Sequence, residues 1–243
     1  MRDYKAEFES RVEYIRNTLA GAHCDGIVFG NSGGKDCALA GILCKAACDN
    51  TVGVIMPCAS KRNYGADADD GRVLAESFNI ESRTVDLTPA REALVEELSK
   101  VAELNSGALT NIAPRLRMTT LYAIAAAENR LVVGTGNRSE RHMGYFTKWG
   151  DGASDFNPIS DLTATEVYEF LEYLKAPRCI IDKAPSAGLF DGQTDEAEMG
   201  VTYKSIDDYL LYGTVNERDK AIIDRYHSRS EHKRRPISTF ENP

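Results

Sequence analysis

Apolar residues follow two alternating patterns along the first half of the chain. Residues 4 to about 20 carry apolar side chains at helical spacing and predict a first helix, which Gly21 can end. The short apolar run at 25–29 predicts a buried strand, and the alanine- and leucine-rich stretch 35–47 predicts a second helix. A strand therefore lies between two helices from the start of the chain.

The same alternation continues to about residue 133. Further strands are predicted at 51–56, 80–86 and 131–133, and further helices at 67–78, from 88 onward, and at 114–128. The helix near residue 88 has a strong start signal, with Thr88 as its cap and Pro89 in its first position. Strands that alternate with helices predict an α/β fold with a doubly wound, mainly parallel sheet flanked by helices.

The second half of the chain contains long stretches without periodicity. Helices are predicted at 163–175, 202–211 and 215–227, and the first has Thr163 and Glu166 at capping-box spacing. The stretches 139–160 and 185–200 lack helical or strand spacing and are long enough to indicate functional loops. The polar segment 228–243 is expected to be mobile.

Composition and charge narrow the class of protein. The 243 residues, 42% of them hydrophobic, suffice for one large domain with a core, and we expect a single domain over 1–243. No run approaches the ~20 apolar residues of a membrane helix, and the charged N-terminus has no signal core, so we expect a cytoplasmic protein without a membrane partner. The net charge of −8 argues against a nucleic-acid partner. The six cysteines lack metal-binding spacing and are interpreted as free core thiols.

A glycine-rich loop after the first strand carries the clearest chemical signal. Its residues 30–36 stand at a predicted helix start, where backbone N–H groups and the helix dipole favour a phosphate. Lys35 adds a positive charge, and Asp36 suits a magnesium ion that bridges phosphates. The loop is not a Walker A motif, because Asp36 stands where that motif needs Ser or Thr. A second glycine-rich turn, 134–137, also follows a strand, so we expect both turns to line one site.

The first loop resembles that of a known enzyme superfamily. Ser32-Gly33-Gly34-Lys35-Asp36 resembles the Ser-Gly-Gly-x-Asp-Ser loop of the N-type ATP pyrophosphatases, which cleave ATP between the α and β phosphates and adenylate their substrate. Other blocks, in the family's order, are similar to the NAD synthetases, whose fold is adenine nucleotide alpha hydrolase-like. These blocks are 111–118, 133–140, 144–152, 185–189, 193–196 and 232–234.

The resemblance implies a ligase that forms a carbon–nitrogen bond. The nicotinate carboxylate of nicotinic acid adenine dinucleotide (deamido-NAD) would attack the α-phosphorus of ATP and release pyrophosphate. Ammonia would then displace AMP from the acyl adenylate and leave NAD. Glutamine-dependent members carry an extra hydrolase domain, for which the residues before the first loop leave no room, so we expect ammonia as the nitrogen donor. A magnesium cofactor and a homodimer are also implied.

The resemblance further implies roles for single residues. ATP would be bound by Gly30, Asn31, Ser32, Gly33, Gly34, Lys35, Asp36, Cys37, Thr135 and Ser186. Deamido-NAD would be bound by Arg115, Lys148, Asp155, His232 and Lys233. Asp36 and Glu140 would hold magnesium, and Asp36 and Asp155 would be catalytic, the latter by orienting or deprotonating ammonia.

Two positions depart from the family pattern. Cys37 stands where the family loop has Ser, and its thiol is a weaker hydrogen-bond donor. A helix N-terminus can also lower the pKa of a thiol and make it reactive, which is a second interpretation of Cys37. Ala164 stands where relatives commonly have a lysine that meets the ATP phosphates. Lys35 or Lys183 could supply that missing charge.

Each assignment has a plainer alternative. Arg115 could be an exposed helix charge, Glu140 a solvated loop residue, and the basic run 232–235 a solvated tail. Residues 195–196 could cap a helix and are given no catalytic role. The whole chain could instead amidate or thiolate another acceptor, or be a nucleotide-binding module without activity. Its paired carboxylates argue against the last alternative, because a pure binder does not need them.

Overall fold

A computed structural model of the chain describes residues 2–60, 64–183 and 195–240. Its strands are β1 (Gly26–Gly30), β2 (Thr51–Ile55), β3 (Glu81–Thr84) and β4 (Arg130–Val132). They form one sheet in the order β3-β2-β1-β4, and every neighbouring pair is parallel. The winding direction therefore reverses between β1 and β4, which is where open α/β sheets bind ligands.

Helices connect and follow these strands. In the first half they are α1 (Tyr4–Ala22), α2 (Lys35–Ala47), α3 (Ala66–Ser77), α4 (Thr88–Ser99) and α5 (Ser106–Glu128). In the second half they are α6 (Arg138–Met143), α7 (Ala164–Tyr173), α8 (Arg178–Ile181), α9 (Asp195–Met199), α10 (Tyr203–Tyr212), α11 (Glu217–Arg229) and α12 (Glu231–Arg234). No helix in the described part of the chain combines the length and the apolar character that crossing a membrane requires.

Both faces of the sheet are covered. Successive side chains of a strand point to opposite faces, and β1 shows this directly. Ile27 and Phe29 pack in one core with α1, α2 and α7, whereas Val28 packs in a second core with α5. All three side chains are fully buried, and burying each contributes about 1.5–3 kcal/mol. The predicted doubly wound sheet is confirmed.

A third apolar cluster lies in the second half of the chain. It joins α6, α10 and α11 through the buried side chains of Met143, Ile206 and Ile223. Ala164, at the start of α7, and Tyr203, at the start of α10, belong to the same cluster. This cluster therefore joins the beginnings of α7 and α10 to the end of α6.

The predicted start of the helix at 114–128 is wrong. The helix begins at Ser106, where the side chain of Asn105 accepts a hydrogen bond from the backbone N–H of Ala108 at 2.9 Å. Pro114 lies inside α5 rather than at its first turn. A proline commonly starts a helix, but here the asparagine cap nine residues earlier sets the boundary.

The stretch 139–160 was also expected to lack helical structure, and α6 corrects this. The side chain of Asn137 accepts from the N–H of Glu140 at 3.0 Å, and the carboxylate of Glu140 accepts from the N–H of Asn137 at 3.0 Å. This capping box supports a helix too short to show periodicity. The capping box predicted for Thr163 and Glu166 is confirmed.

Several other expectations change at the ends of elements. Thr88 is the first helical residue of α4 rather than its cap, and α1 runs past Gly21 to a left-handed His23. The segment 228–243 contains the short helix α12, and 195–199 of the second irregular stretch is helical. All six cysteines are free, but only Cys37, Cys44 and Cys58 are buried, so the interpretation as core thiols holds for half of them.

Candidate active site

A large cavity opens beyond the carboxyl ends of β1 and β4. Its volume is about 1740 Å³, and the loops after both strands line it. The predicted site residues that line this cavity are Gly30, Asn31, Ser32, Gly34, Lys35, Asp36, Cys37, Thr135, Glu140 and Lys233. The expectation that the two glycine-rich turns share one site is confirmed, because β1 and β4 are neighbours in the sheet.

Contacts with α3 hold the loop after β1 in place. Asn31 is 1% exposed, its amide donates to the carbonyl of Gly71 in α3 at 2.8 Å, and its Oδ1 accepts from the N–H of Gly33 at 3.3 Å. Gly33 has φ of +68°, and a Cβ there would collide with the carbonyl oxygen of Asp67. Asn31 and Gly33 therefore shape the loop, and their side-chain positions face α3 rather than a ligand.

Cys37 completes this bracing. Its thiol lies 3.3 Å from the backbone nitrogen of Ser32, which donates to it, and 3.2 Å from the hydroxyl of Ser32, and it donates to the carbonyl of Gly34 at 3.0 Å. Burial raises the pKa of the Cys37 thiol. The interpretation of Cys37 as a reactive thiol is therefore not supported, because burial outweighs the effect of the helix N-terminus.

Asp36 and Glu140 both line the cavity where the two loops join. The amide of Asn137 donates to Oδ1 of Asp36 at 2.9 Å, while its own oxygen caps the helix that carries Glu140. Asn137 is fully buried. Asn137 thus binds both carboxylates, that of Asp36 through its side-chain amide and that of Glu140 through its backbone N–H.

The electrostatics of this pair suit a cation. Burial, together with the charge of Asp36, raises the pKa of Glu140 well above its usual range. Two adjacent carboxylates at a cavity wall present oxygen ligands of the kind that hard divalent ions prefer. The residues therefore fit the magnesium ion that the sequence implies, although no group of three potential ligands occurs in the described residues. Water and ATP phosphates would have to supply the remaining ligands.

Lys35 is buried beside these carboxylates. It is 6% exposed, and its ammonium forms an ion pair with Asp36. The ammonium also lies 5.7 Å from the ring centroid of Tyr168 and 5.5 Å from that of Tyr203. Burial opposes the charge, but Asp36 and Glu140 outweigh burial and raise the pKa of Lys35. Lys35 is therefore a permanent positive charge at the cavity wall.

Lys183, the other suggested replacement for a lysine at position 164, is held differently. Its ammonium lies 2.7 Å from Asp67 and 2.7 Å from Asp70, both in α3, and 3.3 Å from the carbonyl of Gly33. These contacts tie the segment before residue 184 to the loop after β1. Lys183 lines the same cavity, but two carboxylates on one helix already neutralise it.

The predicted ligands of deamido-NAD divide between two surfaces. Lys233 lines the cavity and donates to the carbonyls of Gly144 and Phe146 at 2.8 and 2.7 Å. Arg115, Lys148 and His232 lie outside the cavity lining but form one connected group. Arg115 donates to the carbonyl of Lys148 at 3.4 Å, and Lys148 donates to the carbonyl of His232 at 2.8 Å. The structure brings these three residues together on an exposed surface.

Asp155 also lies outside the lining of the cavity. Its carboxylate accepts from the N–H of Val132 at 2.7 Å and from the hydroxyl of Tyr122 at 3.2 Å. Ser154 and Asn157, on either side of it, do line the cavity. Asp155 therefore faces α5, and its assignment as a catalytic group stays a prediction. Ser186 lies outside the described residues.

Some residues of the site have no role assigned to them from the sequence. Tyr168, Arg117 and Asp195 line the cavity, and Asp195 accepts a hydrogen bond from the hydroxyl of Tyr203 at 3.0 Å. Arg117 donates to the carbonyl of Met56 at 3.1 Å. Residues 195–196 are not the cap of α10, which is Thr202, but Glu196 accepts from the N–H of Tyr203 at 2.8 Å at the start of that helix. The pairing of an acidic residue with this buried tyrosine was not visible in the sequence.

Comparisons with known proteins agree with the resemblance seen in the sequence. A family model described as NAD synthase matches residues 7–240. The NH(3)-dependent NAD(+) synthetase of Carboxydothermus hydrogenoformans is 46% identical over 236 residues, which cover 96% of this chain and 96% of that protein.

Two solved structures extend the likeness to three dimensions. An NMN synthetase from Francisella tularensis matches with a TM-score of 0.94 and 39% identity, over 100% of both chains. An NH3-dependent NAD synthetase from Campylobacter jejuni in complex with the nitrate ion matches with a TM-score of 0.80 and 28% identity, over 99% of this chain and 100% of that one. The predicted adenine nucleotide alpha hydrolase-like fold is confirmed. The chain therefore belongs to the NAD synthase family.

Proposed function

We propose that this chain is an ammonia-dependent NAD synthetase that amidates deamido-NAD at the expense of ATP. The observation that carries the proposal is the junction of the two loops, where Asn137 holds Asp36 beside Glu140 in a cavity large enough for a nucleotide. The family match and the curated relative at 46% identity support the same reaction. A module that only binds nucleotides has no need of such a pair of carboxylates.

The reaction has two steps with balanced atoms. A carboxylate oxygen of the nicotinate group attacks the α-phosphorus, and the bond from that phosphorus to the bridging oxygen breaks and releases pyrophosphate. Ammonia then attacks the acyl carbon, AMP leaves with the former carboxylate oxygen, and one proton is lost from nitrogen. Adenylation is needed because a free carboxylate has no acceptable leaving group, so the enzyme mainly positions reactants and neutralises charge.

The residues of this chain have distinct proposed parts in these steps. The backbone of the loop after β1 and the start of α2 receive the ATP phosphates. Asp36 and Glu140 hold Mg²⁺, which supplies charge neutralisation to the leaving pyrophosphate when it is bound. Thr135 and Ser186 are assigned to ATP, and Asp155 to the orientation of ammonia.

The nucleotide acceptor is assigned to the exposed polar surface as well as to the cavity. Arg115, Lys148 and His232 are connected there, and Lys233 reaches the cavity from α12. Trp149 beside them is 53% exposed, and its ring lies 5.4 Å from the ammonium of Lys148. We propose that a second copy of the chain covers this surface in a homodimer.

The remaining proposals concern the whole protein. We assign residues 1–243 to one synthetase domain. We propose that ammonia is the nitrogen donor and that the reaction takes place in the cytoplasm. The name of the Carboxydothermus hydrogenoformans relative, which covers nearly all of this chain, supports ammonia as the donor.

A second candidate function differs only in the acceptor. The structure of an NMN synthetase matches this chain with a TM-score of 0.94, against 0.80 for the NAD synthetase from Campylobacter jejuni. The same two steps applied to nicotinic acid mononucleotide would give the mononucleotide amide. The two acceptors share the nicotinate carboxylate and differ in the adenylate half, which the exposed polar surface would have to bind.

One experiment tests both candidates. Purified protein is incubated with ATP, Mg²⁺, ammonium and either deamido-NAD or nicotinic acid mononucleotide, and the amide product and AMP are measured. We expect amide and AMP in equal amounts and a higher kcat/KM with deamido-NAD. A higher kcat/KM with the mononucleotide would establish the second candidate. Neither product with either acceptor would overturn the proposed function, and equal rates with glutamine in ammonia-free buffer would overturn the choice of ammonia.

A further inference from the structure

The position of Lys35 is unusual for a residue of a phosphate-binding loop. Its side chain does not extend into open solvent but turns into the protein, where it is 6% exposed. There the ammonium forms an ion pair with Asp36, and the charge of Glu140 also acts on it. Both carboxylates are the proposed ligands of magnesium. A lysine therefore provides the positive charge that a metal ion would provide.

Two aromatic rings hold this ammonium in place. It lies 5.7 Å from the ring centroid of Tyr168 and 5.5 Å from that of Tyr203, within the range of cation–π attraction. Tyr203 is itself 5% exposed and donates its hydroxyl to Asp195. The ammonium thus pairs with Asp36, feels the charge of Glu140, and lies close to the rings of two tyrosines.

This location also adjoins the position where the family commonly has lysine. Ala164 is 1% exposed and lies one helical turn before Tyr168 on α7, so both residues occupy the same face of the helix. Ala164 belongs to the same apolar cluster as Tyr203. One of the two rings near the Lys35 ammonium is therefore one helical turn from Ala164, and the other belongs to the same apolar cluster as Ala164. A positive charge is present at this place, but it comes from α2 instead of α7.

We propose that Lys35 is an internal counter-ion that neutralises the metal-binding carboxylates in the nucleotide-free protein and moves to the ATP phosphates when ATP and its metal arrive. The inference rests on the proposed function. When a divalent cation binds Asp36 and Glu140, it repels the ammonium, which then loses its anionic partners. The phosphates of ATP are the new anions within reach of the cavity wall. The Lys35 ammonium thus neutralises the carboxylates in the nucleotide-free protein and the phosphates in the ATP-bound protein. A lysine at position 164 is then unnecessary.

The proposal predicts two effects of opposite sign in one variant. Lys35→Met keeps a long apolar side chain but removes the charge. Mn²⁺, used as the probe metal, should bind the nucleotide-free variant about tenfold more tightly, because the carboxylates have lost their competitor. ATP in the presence of EDTA should bind about tenfold more weakly, because without the ammonium the two carboxylates face the phosphates with no counter-ion. Electron paramagnetic resonance of free Mn²⁺ gives the dissociation constant of the metal, and titration calorimetry gives that of ATP. Neither measurement requires turnover.

Two further variants locate the charge. Adding Ala164→Lys to Lys35→Met returns an ammonium to the same place from α7, and should restore both constants to within about threefold of wild type. Ala164→Lys alone places a second ammonium beside the first, and should weaken Mn²⁺ binding. Lys45→Met is the matched control, because Lys45 lies on the same helix and pairs with the exposed Asp49. It should leave both constants unchanged.

The outcomes separate this inference from the proposed function. If wild-type protein binds ATP but Lys35→Met changes neither constant, Lys35 is not an exchanging counter-ion, and the synthetase assignment is unaffected. Weaker binding of both Mn²⁺ and ATP would show a structural role for Lys35 and would also overturn the exchange. If wild-type protein forms no amide product, the proposed function fails first. Should Lys35→Met not fold, unchanged Mn²⁺ binding by Ala164→Lys would still contradict the proposal.

Discussion

The cavity beyond β1 and β4 and the exposed polar surface near α5 hold their charges in different ways. In the cavity, Asp36 is fixed by Lys35 and by the buried amide of Asn137. On the exposed surface, Arg115 and Lys148 make their hydrogen bonds to backbone carbonyls within the described part of the chain. Carbonyl oxygens carry only partial charge, so these two cations are left available to an anion or another surface.

This difference indicates how the proposed reaction is divided over the molecule. The half of the site that receives ATP is built within one chain and is in place before any ligand binds. In the half assigned to the nicotinate nucleotide, hydrogen bonds to backbone carbonyls connect Arg115, Lys148 and His232, but these side chains lie on an exposed surface. A partner copy or the ligand itself would complete it, which is why the homodimer belongs to the same proposal.

The largest effect on activity is expected in the half of the site that is assigned to ATP. Asp36→Asn removes a proposed metal ligand and the partner of Lys35, and should lower the rate of AMP formation roughly 100-fold or more. Asp49→Asn is the matched control. Asp49 is exposed and lies two residues after the end of α2, so this variant should keep wild-type activity. Steady-state measurement of AMP and pyrophosphate checks both variants. A loss below threefold for Asp36→Asn would remove it from the catalytic assignment.

A smaller and more selective effect is expected at the exposed half. Arg115→Ala should raise the KM for deamido-NAD about tenfold, the amount that one charge-assisted hydrogen bond of about 1.4 kcal/mol contributes. The KM for ATP should not change, because Arg115 does not line the cavity. Arg178→Ala, which removes an exposed arginine paired with Glu172 and Asp182, serves as the control. An equal rise in the KM for deamido-NAD and in the KM for ATP would contradict the proposal that the two halves of the site bind different substrates.

A still smaller effect on activity is expected at Cys37. Cys37→Ser should keep activity within about threefold, because a hydroxyl can make the same contacts to Ser32 and Gly34. Iodoacetamide should label the exposed Cys179 at least tenfold faster than the buried Cys37, as measured by peptide mass spectrometry. Rapid labelling of Cys37 accompanied by loss of activity would restore the reactive-thiol interpretation.

The smallest effect concerns the junction of α6 and α11, which links the two halves. His142 and His227 stack at a centroid distance of 4.1 Å. Burial, with the charges of His227 and Arg234, lowers the pKa of His142 from 6.5 to about 4. The unfolded chain then binds the extra proton between these values, so stability is lost as pH falls from about 6.5 to 4.

Replacement of this histidine tests that linkage. In His142→Gln, unfolding should take up as much as one proton fewer between pH 6.5 and 4. Tm should therefore decline less steeply as pH falls over this range. Thermal melts followed by circular dichroism at half-unit pH intervals measure the slope. Parallel curves for variant and wild type would show that His142 does not couple the junction to pH.

The arrangement of the two loops could be predicted from the sequence, but the arrangement of charges around them could not. Parallel strands end at one edge, so turns after residues 30 and 133 were expected to share a site, and they do. That Lys35 reaches Tyr168 and Tyr203 depends on packing between segments more than 130 positions apart. No local pattern specifies such contacts.

The same limit explains the two helix corrections. Pro114 is a good first helical residue in isolation, but the Asn105 cap and the packing of α5 on β1 and β4 set the actual start. The capping box of Asn137 and Glu140 was readable as a pattern, yet a helix of six residues has no periodicity to confirm it. Short helices at a site are recognised from their caps rather than from their apolar spacing.

The double use of Asn137 has a consequence for how this enzyme can change over generations. Its side-chain oxygen caps α6 and its nitrogen holds Asp36, so a substitution there alters folding and chemistry in one mutational step. Aspartate would keep the cap but set a carboxylate against Asp36, and serine would keep the cap but not reach Asp36. An amide of this length satisfies both demands. A single substitution at Asn137 is therefore expected to lose either the cap of α6 or the hold on Asp36.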